Sequence, residues 1–273
     1  MAAPRWKTAI SNALEKNSKS VVIQLATIEN HSQGIHIPKV RSCIFRSFLE
    51  PSSSPAHPLI LSSTDIRSPK VQQIFTNPKV ELAWWIEGAQ EQFRVSGIGC
   101  IVPAPPSTSA TTSAFASTGT DGTPDQEDHH LDRSSLYASF EQFVQSTRSG
   151  TETSTGGLAS LVRENFDWEK KRVEVFKTMS AYMKASWCRP VPGSPLQGGE
   201  DEAKKWPEKV EEPAEGDGNE ENRRNWETAL RNFALLLVDP IEVDYVELGV
   251  VPNRRTKFWR TEEGKWEEMA VVP

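Results

Sequence analysis

The chain has 273 residues, of which 37% are hydrophobic and 25% charged, with 19 Pro and 16 Gly. That length suits one large domain or two small ones, and the low apolar share predicts that part of the chain lies outside any core. A formal net charge of -6 with no basic tract argues against a nucleic-acid partner, whose affinity would rest on neutralising phosphates. Cys43, Cys100 and Cys188 are widely spaced and odd in number, which disfavours a disulfide scaffold or a Cys-ligated zinc and fits a reducing compartment. No run is long enough to span a bilayer, and MAAPRWKTAI lacks the apolar region of a secretory signal. The expectation is a soluble, cytoplasmic protein with no membrane contact.

The first predicted element is a helix over Pro4–Asn17, with Pro4 suited to the first turn and Trp6, Ile10, Ala13 and Leu14 on one stripe. Val21–Ile28 is short and β-branched. Ile37–Leu49 reads as one strand, with Val40, Ser42, Ile44 and Arg46 on one face and Arg41, Cys43, Phe45 and Ser47 on the other. Pro58–Ser63 is a third strand. Helical spacing returns over Ser68–Phe75 and stops at Asn77-Pro78. Val80–Ile86 and Gln92–Val102 read as a hairpin across EGAQE.

Two stretches break the pattern and read as surface insertions. Residues 103–157 are rich in Ser, Thr, Gly and Pro, and within them Leu136, Phe140 and Phe143 suggest a short helix over Arg133–Ser146. Residues 193–222 are mostly charge and breakers. Between them a long helix is predicted over Phe166–Met183. A helix near Trp226–Phe233 and three strands, IEVDYVEL, RTKFWRT and KWEEMAVV, close the chain. Many short strands, few helices and no regular βαβ alternation predict one domain over residues 1–273: a mainly β, antiparallel barrel with peripheral helices.

Three segments place polar groups where folding alone leaves them idle. Arg41 and Arg46 lie on opposite faces of one strand; an exposed face accounts for either, and an anionic ligand accounts for Arg41. Ser62–Lys70, SSTDIRSPK, leaves a strand and enters a helix, bringing hydroxyls and the cations Arg67 and Lys70 to a helix N-terminus; it reads either as an anion site or as an ordinary capped helix. Gln92 opens a strand, facing either a ring edge or solvent. The five histidines, His31, His36, His57, His129 and His130, fall in turns or insertions, so no metal centre is expected. No GxSxG elbow, Walker loop or obvious general base is present, and the catalytic residues stay unassigned.

These segments, in the order W-x3-I-x3-L, QLATI, VRSCIFRSF, LILSSTDIRSPKVQQIFTNPKVELAWWI and QFRVSG, resemble the pyridoxamine 5'-phosphate oxidase-like flavoproteins, in particular the branch with a TD-x-RS-x-K motif common in cyanobacteria and fungi. MSAYMKASWCRPVPG, NFALLLVDPIEVDYVEL and VPNRRTKFW are similar too, leaving only the two insertions unmatched. The resemblance implies a split β-barrel homodimer with FMN at the subunit interface. Arg41, Ser68 and Lys70 would hold the phosphate; Ser42, Cys43, Ile44, Ser63 and Thr64 would line the flavin; Gln92 would approach the ring from the dimer side. Arg46 matches a position that contacts pyridoxal phosphate. The flavin-stacking tryptophan is replaced, with Val246 the nearest match; the substrate motif R-x-H reads Asn253-Arg254-Arg255, and a flavin-contacting arginine reads Lys257. Arg254 and Arg255 are the substrate-binding candidates.

The function implied is an FMN-binding oxidoreductase that moves a hydride from a small amine or alcohol, such as pyridoxamine 5'-phosphate in vitamin B6 metabolism, to FMN and then to oxygen. A flavin or deazaflavin reductase of the same fold, or a non-catalytic flavin- or haem-binding module, is the alternative.

Overall fold

The computed structural model describes every residue except 1, 32–33, 107–131, 151–154, 215 and 217. His129 and His130 lie outside the described residues. Nine strands form one antiparallel sheet: β1 Val22–Asn30, β2 His36–Ile44, β3 Ser47–Leu49, β4 Leu59–Asp65, β5 Lys79–Ile86, β6 Glu91–Val102, β7 Phe233–Glu247, β8 Arg254–Arg260 and β9 Trp266–Val271. The hydrogen-bonded path is β2-β1-β5-β6-β7-β4-β3, and β8 joins β7 and carries β9. The sheet does not close, so the expected barrel is corrected to an open antiparallel sheet with helices. The chain reaches across the gap at one corner. There Arg46 N–H donates to Leu61 O at 2.8 Å, and Ser62 Oγ donates to Ile44 O at 2.9 Å. At this corner the single strand expected over Ile37–Leu49 divides, because Phe45 and Arg46 leave one edge and β3 begins pairing with β4.

The central element is β7. It pairs with β6 from Leu235 to Glu247, whereas its other edge is shared: Phe233–Val238 pairs with β4 and Glu242–Glu247 with β8. Between the halves sit Asp239 and Pro240. Proline offers no N–H to a ladder, and the β6–β7 register shifts opposite it, between Ser96 and Gly97. A Cβ on Gly97 would lie 2.4 Å from Asp239 O, so only glycine fits. Asp239 ties the branch down: Oδ1 accepts from Arg260 Nη1 at 2.6 Å, and Oδ2 accepts from Leu158 N–H at 3.1 Å.

Alternate residues of β7 enter two different cores. Leu236 and Val238 join Trp6, Ile10, Leu25, Trp84 and Phe93, whereas Phe233, Leu235 and Leu237 join Leu59, Leu61, Phe140 and Phe176. A strand buried on both faces has no hydrophobic alternation, which is why its first half went unpredicted and the strand was expected to begin only at Ile241. Over the first core lies α1 (Arg5–Lys16), with Trp6, Ile10 and Ala13 buried. The helix α2 (Pro69–Thr76) follows β4 and buries Val71, Gln73 and Ile74.

Helices inserted between β6 and β7 are α3 (Arg133–Arg148), α4 (Gly157–Arg163), α5 (Trp168–Lys177), α6 (Ala181–Ser186), α7 (Gly199–Ala203) and α8 (Glu220–Asn232), and all but α7, which buries no residue, pack on the second core. The long helix expected over Phe166–Met183 is two helices, because Ser180 starts a new one by accepting from Met183 N–H at 3.2 Å. The helix expected near Trp226–Phe233 begins earlier, at Glu220, after Asn219 caps it at Asn222 N–H. The helix in the Ser/Thr-rich stretch packs rather than floats: Leu136, Phe140 and Val144 are buried, and Phe140 meets Trp168 edge-on at 5.7 Å. In the acidic stretch Val210 is fully buried and its N–H donates to Ala181 O at 3.1 Å. Phe140→Ala should therefore lower unfolding stability by about 3–5 kcal/mol in a denaturant titration; a change under about 1 kcal/mol would mean that α3 adds nothing to the core.

Candidate functional site

The gap between β2 and β4 is filled by side chains rather than by a ladder. Arg41 stands directly opposite Leu25 and Cys43 opposite Ile23, so both point to the same side as the first core. Arg41 is held by neutral acceptors. Its Nη1 donates to Thr27 Oγ1 at 2.6 Å, to Lys39 O at 3.1 Å and to Leu25 O at 3.2 Å, and its Nη2 donates to Gln73 Oε1 at 2.6 Å. On the other side of the gap β4 ends in Thr64 and Asp65, and α2 starts with Pro69 at its first position. Lys70 Nζ donates to Thr64 Oγ1 at 3.1 Å and to Ser68 Oγ at 3.0 Å, while Ser68 Oγ donates to Asp65 O at 2.8 Å.

Among the described residues no carboxylate forms an ion pair with Arg41, Arg46 or Lys70. Burial holds the Lys70 ammonium below the usual lysine range, with Arg41 pushing the same way and Cys43 and Asp65 opposing. Burial likewise lowers the pKa of Arg41, and it raises that of the Cys43 thiol against the pull of Lys70 and Arg41. Two cations sit together in a partly desolvated place with hydroxyls and amide oxygens around them. Such a donor set suits an external phosphate.

Arg67, expected among the converging cations, turns away. It pairs with Asp65 through Nε at 2.9 Å and Nη2 at 2.6 Å, and reaches the Arg189 carbonyl at 2.9 Å. It holds the loop that carries Ser68 rather than facing the cluster. Arg46 lies on the other side of β4: its Nε donates to Ser63 Oγ at 3.3 Å and its Nη2 to Met183 Sδ at 3.0 Å. Thr64 faces Lys70 and the adjacent Ser63 faces Arg46, so the two arginines are separated by the strand. Ser42 points outward, donating to Gln24 Oε1 at 3.1 Å.

The remaining candidates are elsewhere. The row Ser42, Gln24, Ala83, Arg94, Asp244, Lys257 crosses the sheet through directly paired residues. Five interstrand steps of about 4.8 Å make that roughly 24 Å along the sheet. Gln92 pairs with Val246, which pairs with Arg255 on β8. Arg255 is committed to Asp244, with Nε at 2.9 Å and Nη2 at 2.7 Å, and Arg94 shares the same carboxylate. Hydrogen bonding to Arg255 is the main reason that Asp244 stays below the usual carboxylate range. Asn253 Nδ2 donates to Leu248 O and Val250 O, both at 3.0 Å. Arg254 and Lys257 are exposed. Two surface clefts of about 650 and 360 Å³ lie beside α1 and contain none of the expected site residues.

Thr27, Gln73 and Met183 belong to the site and went unpredicted. Gln73 had one available signal, its three-residue spacing from Lys70, which puts both on one helix face. Among the described residues no group of three or more His, Cys, Asp or Glu side chains is arranged to hold a metal, and no helix is long and apolar enough to cross a membrane.

Residues 3–103 match the family described as pyridoxamine 5'-phosphate oxidase, FMN-binding domain. Over 95 residues the chain is 35% identical to pyridoxine/pyridoxamine 5'-phosphate oxidase 2 of Arabidopsis thaliana, covering 34% of this chain and 43% of that protein. The chain thus spans less than half the length of that relative. A crystal structure of a pyridoxamine 5'-phosphate oxidase-related, FMN-binding protein from Nostoc punctiforme covers 100% of both chains with a TM-score of 0.61 and 23% identity, a likeness of fold. Arg41, Thr64, Ser68 and Lys70 all fall inside residues 3–103, the segment that is similar to the FMN-binding domain of that family.

Proposed function

We propose that the whole chain, as a single domain, is an FMN-dependent oxidoreductase resembling pyridoxamine 5'-phosphate oxidase, oxidising a small amine or alcohol and passing electrons to oxygen. The observation that supports it is the pair of cations Arg41 and Lys70, bound only to neutral oxygens. In this reading Arg41, Lys70 and Ser68 bind the flavin phosphate, while Cys43 and Thr64 pack beside them. FMN, when bound, supplies hydride acceptance and the route to oxygen. Ser42 and Ile44 on the outer face, and Ser63 across β4, line the flavin. Arg46 takes an anionic group of the substrate, with Arg254 and Arg255 as further substrate contacts.

Gln92 and Lys257 lie three and five strands along the sheet from Arg41, and the reading includes a homodimer in which a second copy supplies them. The exposed apolar side chains Val22, Val40 and Trp85 support it, because they leave uncovered apolar surface on the sheet. A cytoplasmic location fits the three free thiols. A second reading, a flavin or deazaflavin reductase of the same fold, is favoured by the R-x-H position: Asn253 and Arg255 are already engaged within the chain.

The test is the purified protein itself. It should be yellow, release FMN on denaturation, scatter light as a dimer and oxidise pyridoxamine 5'-phosphate with oxygen uptake. Release of FAD, or no flavin retained after reconstitution with FMN, would overturn the cofactor assignment; retained FMN without turnover would favour the reductase.

Arg41→Ala and Lys70→Ala should each weaken FMN by roughly ten- to a hundredfold, the loss of about 1.5–3 kcal/mol for a hydrogen bond to a charged group. Arg46→Ala should change flavin affinity by less than about threefold, within the scatter of such measurements. Fluorescence titration of the three variants in one buffer decides it, and equal weakening by all three would mean a diffuse field. The affinity should also depend on pH. Above about pH 7 the flavin phosphate is a dianion throughout, so the protein sets the slope. Because the Lys70 pKa is lowered, its charge is lost at a lower pH than that of an ordinary lysine, and FMN binding should weaken as pH rises through the alkaline range. Lys70→Gln should remove that slope; a slope that persists would assign it to another group.

A further inference from the structure

We propose that Gln73 is a positioning residue that aims the Arg41 guanidinium at the flavin phosphate while leaving its charge intact; this rests on the reading of Arg41 and Lys70 as the phosphate site. Gln73 is 5% exposed, unusual for a glutamine, and its side chain is spent entirely on this cluster. Its Oε1 accepts from Arg41 Nη2 and from Thr27 Oγ1, both at 2.6 Å, and Thr27 Oγ1 in turn accepts from Arg41 Nη1 at 2.6 Å. Arginine has only donors, so the amide oxygen must be the atom facing it. The three groups close a ring that fixes the plane of the guanidinium.

The chemical identity of the acceptor is the point. A glutamate would have the same length and would form a charge-assisted fork with Arg41, the stronger interaction for the protein alone. It would also cancel the charge that a phosphate needs. Every partner of Arg41 is neutral: a hydroxyl, an amide oxygen and two backbone carbonyls. Lys70, three residues before Gln73 on α2, is bound only to hydroxyls. One turn of α2 thus carries one cation of the site and the clamp on the other.

A purely structural glutamine and a positioning one differ in what Gln73→Glu does. The experiment measures the thermal midpoint of flavin-free protein and the Kd of FMN and of riboflavin, which lacks the phosphate, for the unaltered chain, Gln73→Glu and Gln73→Leu. Positioning predicts that Gln73→Glu leaves the flavin-free midpoint unchanged or raised, weakens FMN by about tenfold or more and leaves riboflavin within about twofold. Gln73→Leu should lower the midpoint and weaken FMN several-fold, again sparing riboflavin. FMN binding within about twofold of the unaltered chain in Gln73→Glu, or parallel weakening of both flavins, would overturn the role. If Gln73→Glu does not fold, Thr27→Val removes the other member of the ring: selective loss of FMN affinity supports the role, and no loss overturns it. An unaltered chain that binds FMN no tighter than riboflavin would instead refute the phosphate site itself.

Discussion

The architecture depends on one strand serving two neighbours along one edge. Because β7 gives its first half to β4 and its second half to β8, the sheet forks at Asp239–Pro240, and two cores form on either side of the strand. A fork leaves a carboxylate, a cation and an unpaired stretch of backbone in the interior. Arg260 and the N–H of Leu158 satisfy Asp239, and the missing N–H of Pro240 removes a donor that would have had no partner. Gly97 lets β6 pass close by. Each of these residues is required by the others, and β4 is held against β7 as a result.

With β4 so placed, its far edge meets the three residues of β3 and the N–H of Arg46, and the space between β4 and β2 belongs to side chains. The gap in the sheet and the cation cluster are therefore the same feature. Where a closed barrel would pair backbone groups, this chain sets Arg41 and Lys70 among hydroxyls. The helical layer stabilises the arrangement from behind, since Arg67 locks the loop after β4 to the carbonyls of Trp187 and Arg189, and Met183 packs on Arg46.

Elements with one solvated face were legible from the residues: α1, β1, β5 and β6 appear close to where alternation and helical spacing put them. The start of β7 was not, because FALLLV is apolar on both faces. Capping chemistry explains the other misses, since Ser180 and Asn219 begin helices at positions that apolar spacing alone does not mark. At the site, Arg41 and Lys70 were readable as cations in unusual places. Arg67 looked equivalent and is not, because its two-residue spacing from Asp65 allows a local ion pair. Thr27 and Gln73 were invisible for a general reason: a buried polar side chain has no pattern of its own, and only strand register and helix docking bring it to its partner.

The position of the helical layer in the chain has a consequence for how the protein folds. The pairing of β6 with β7, the longest in the sheet, must close over residues 103–232, whereas β1 and β2, and β5 and β6, are joined by short connections. Contacts so distant in sequence form late, after the local meander. Until β7 arrives, β4 has no long partner, and Thr64, Ser68 and Lys70 have no fixed place opposite Arg41. The two halves of the cation cluster thus mature at different times, and its assembly marks completion of folding rather than its nucleus.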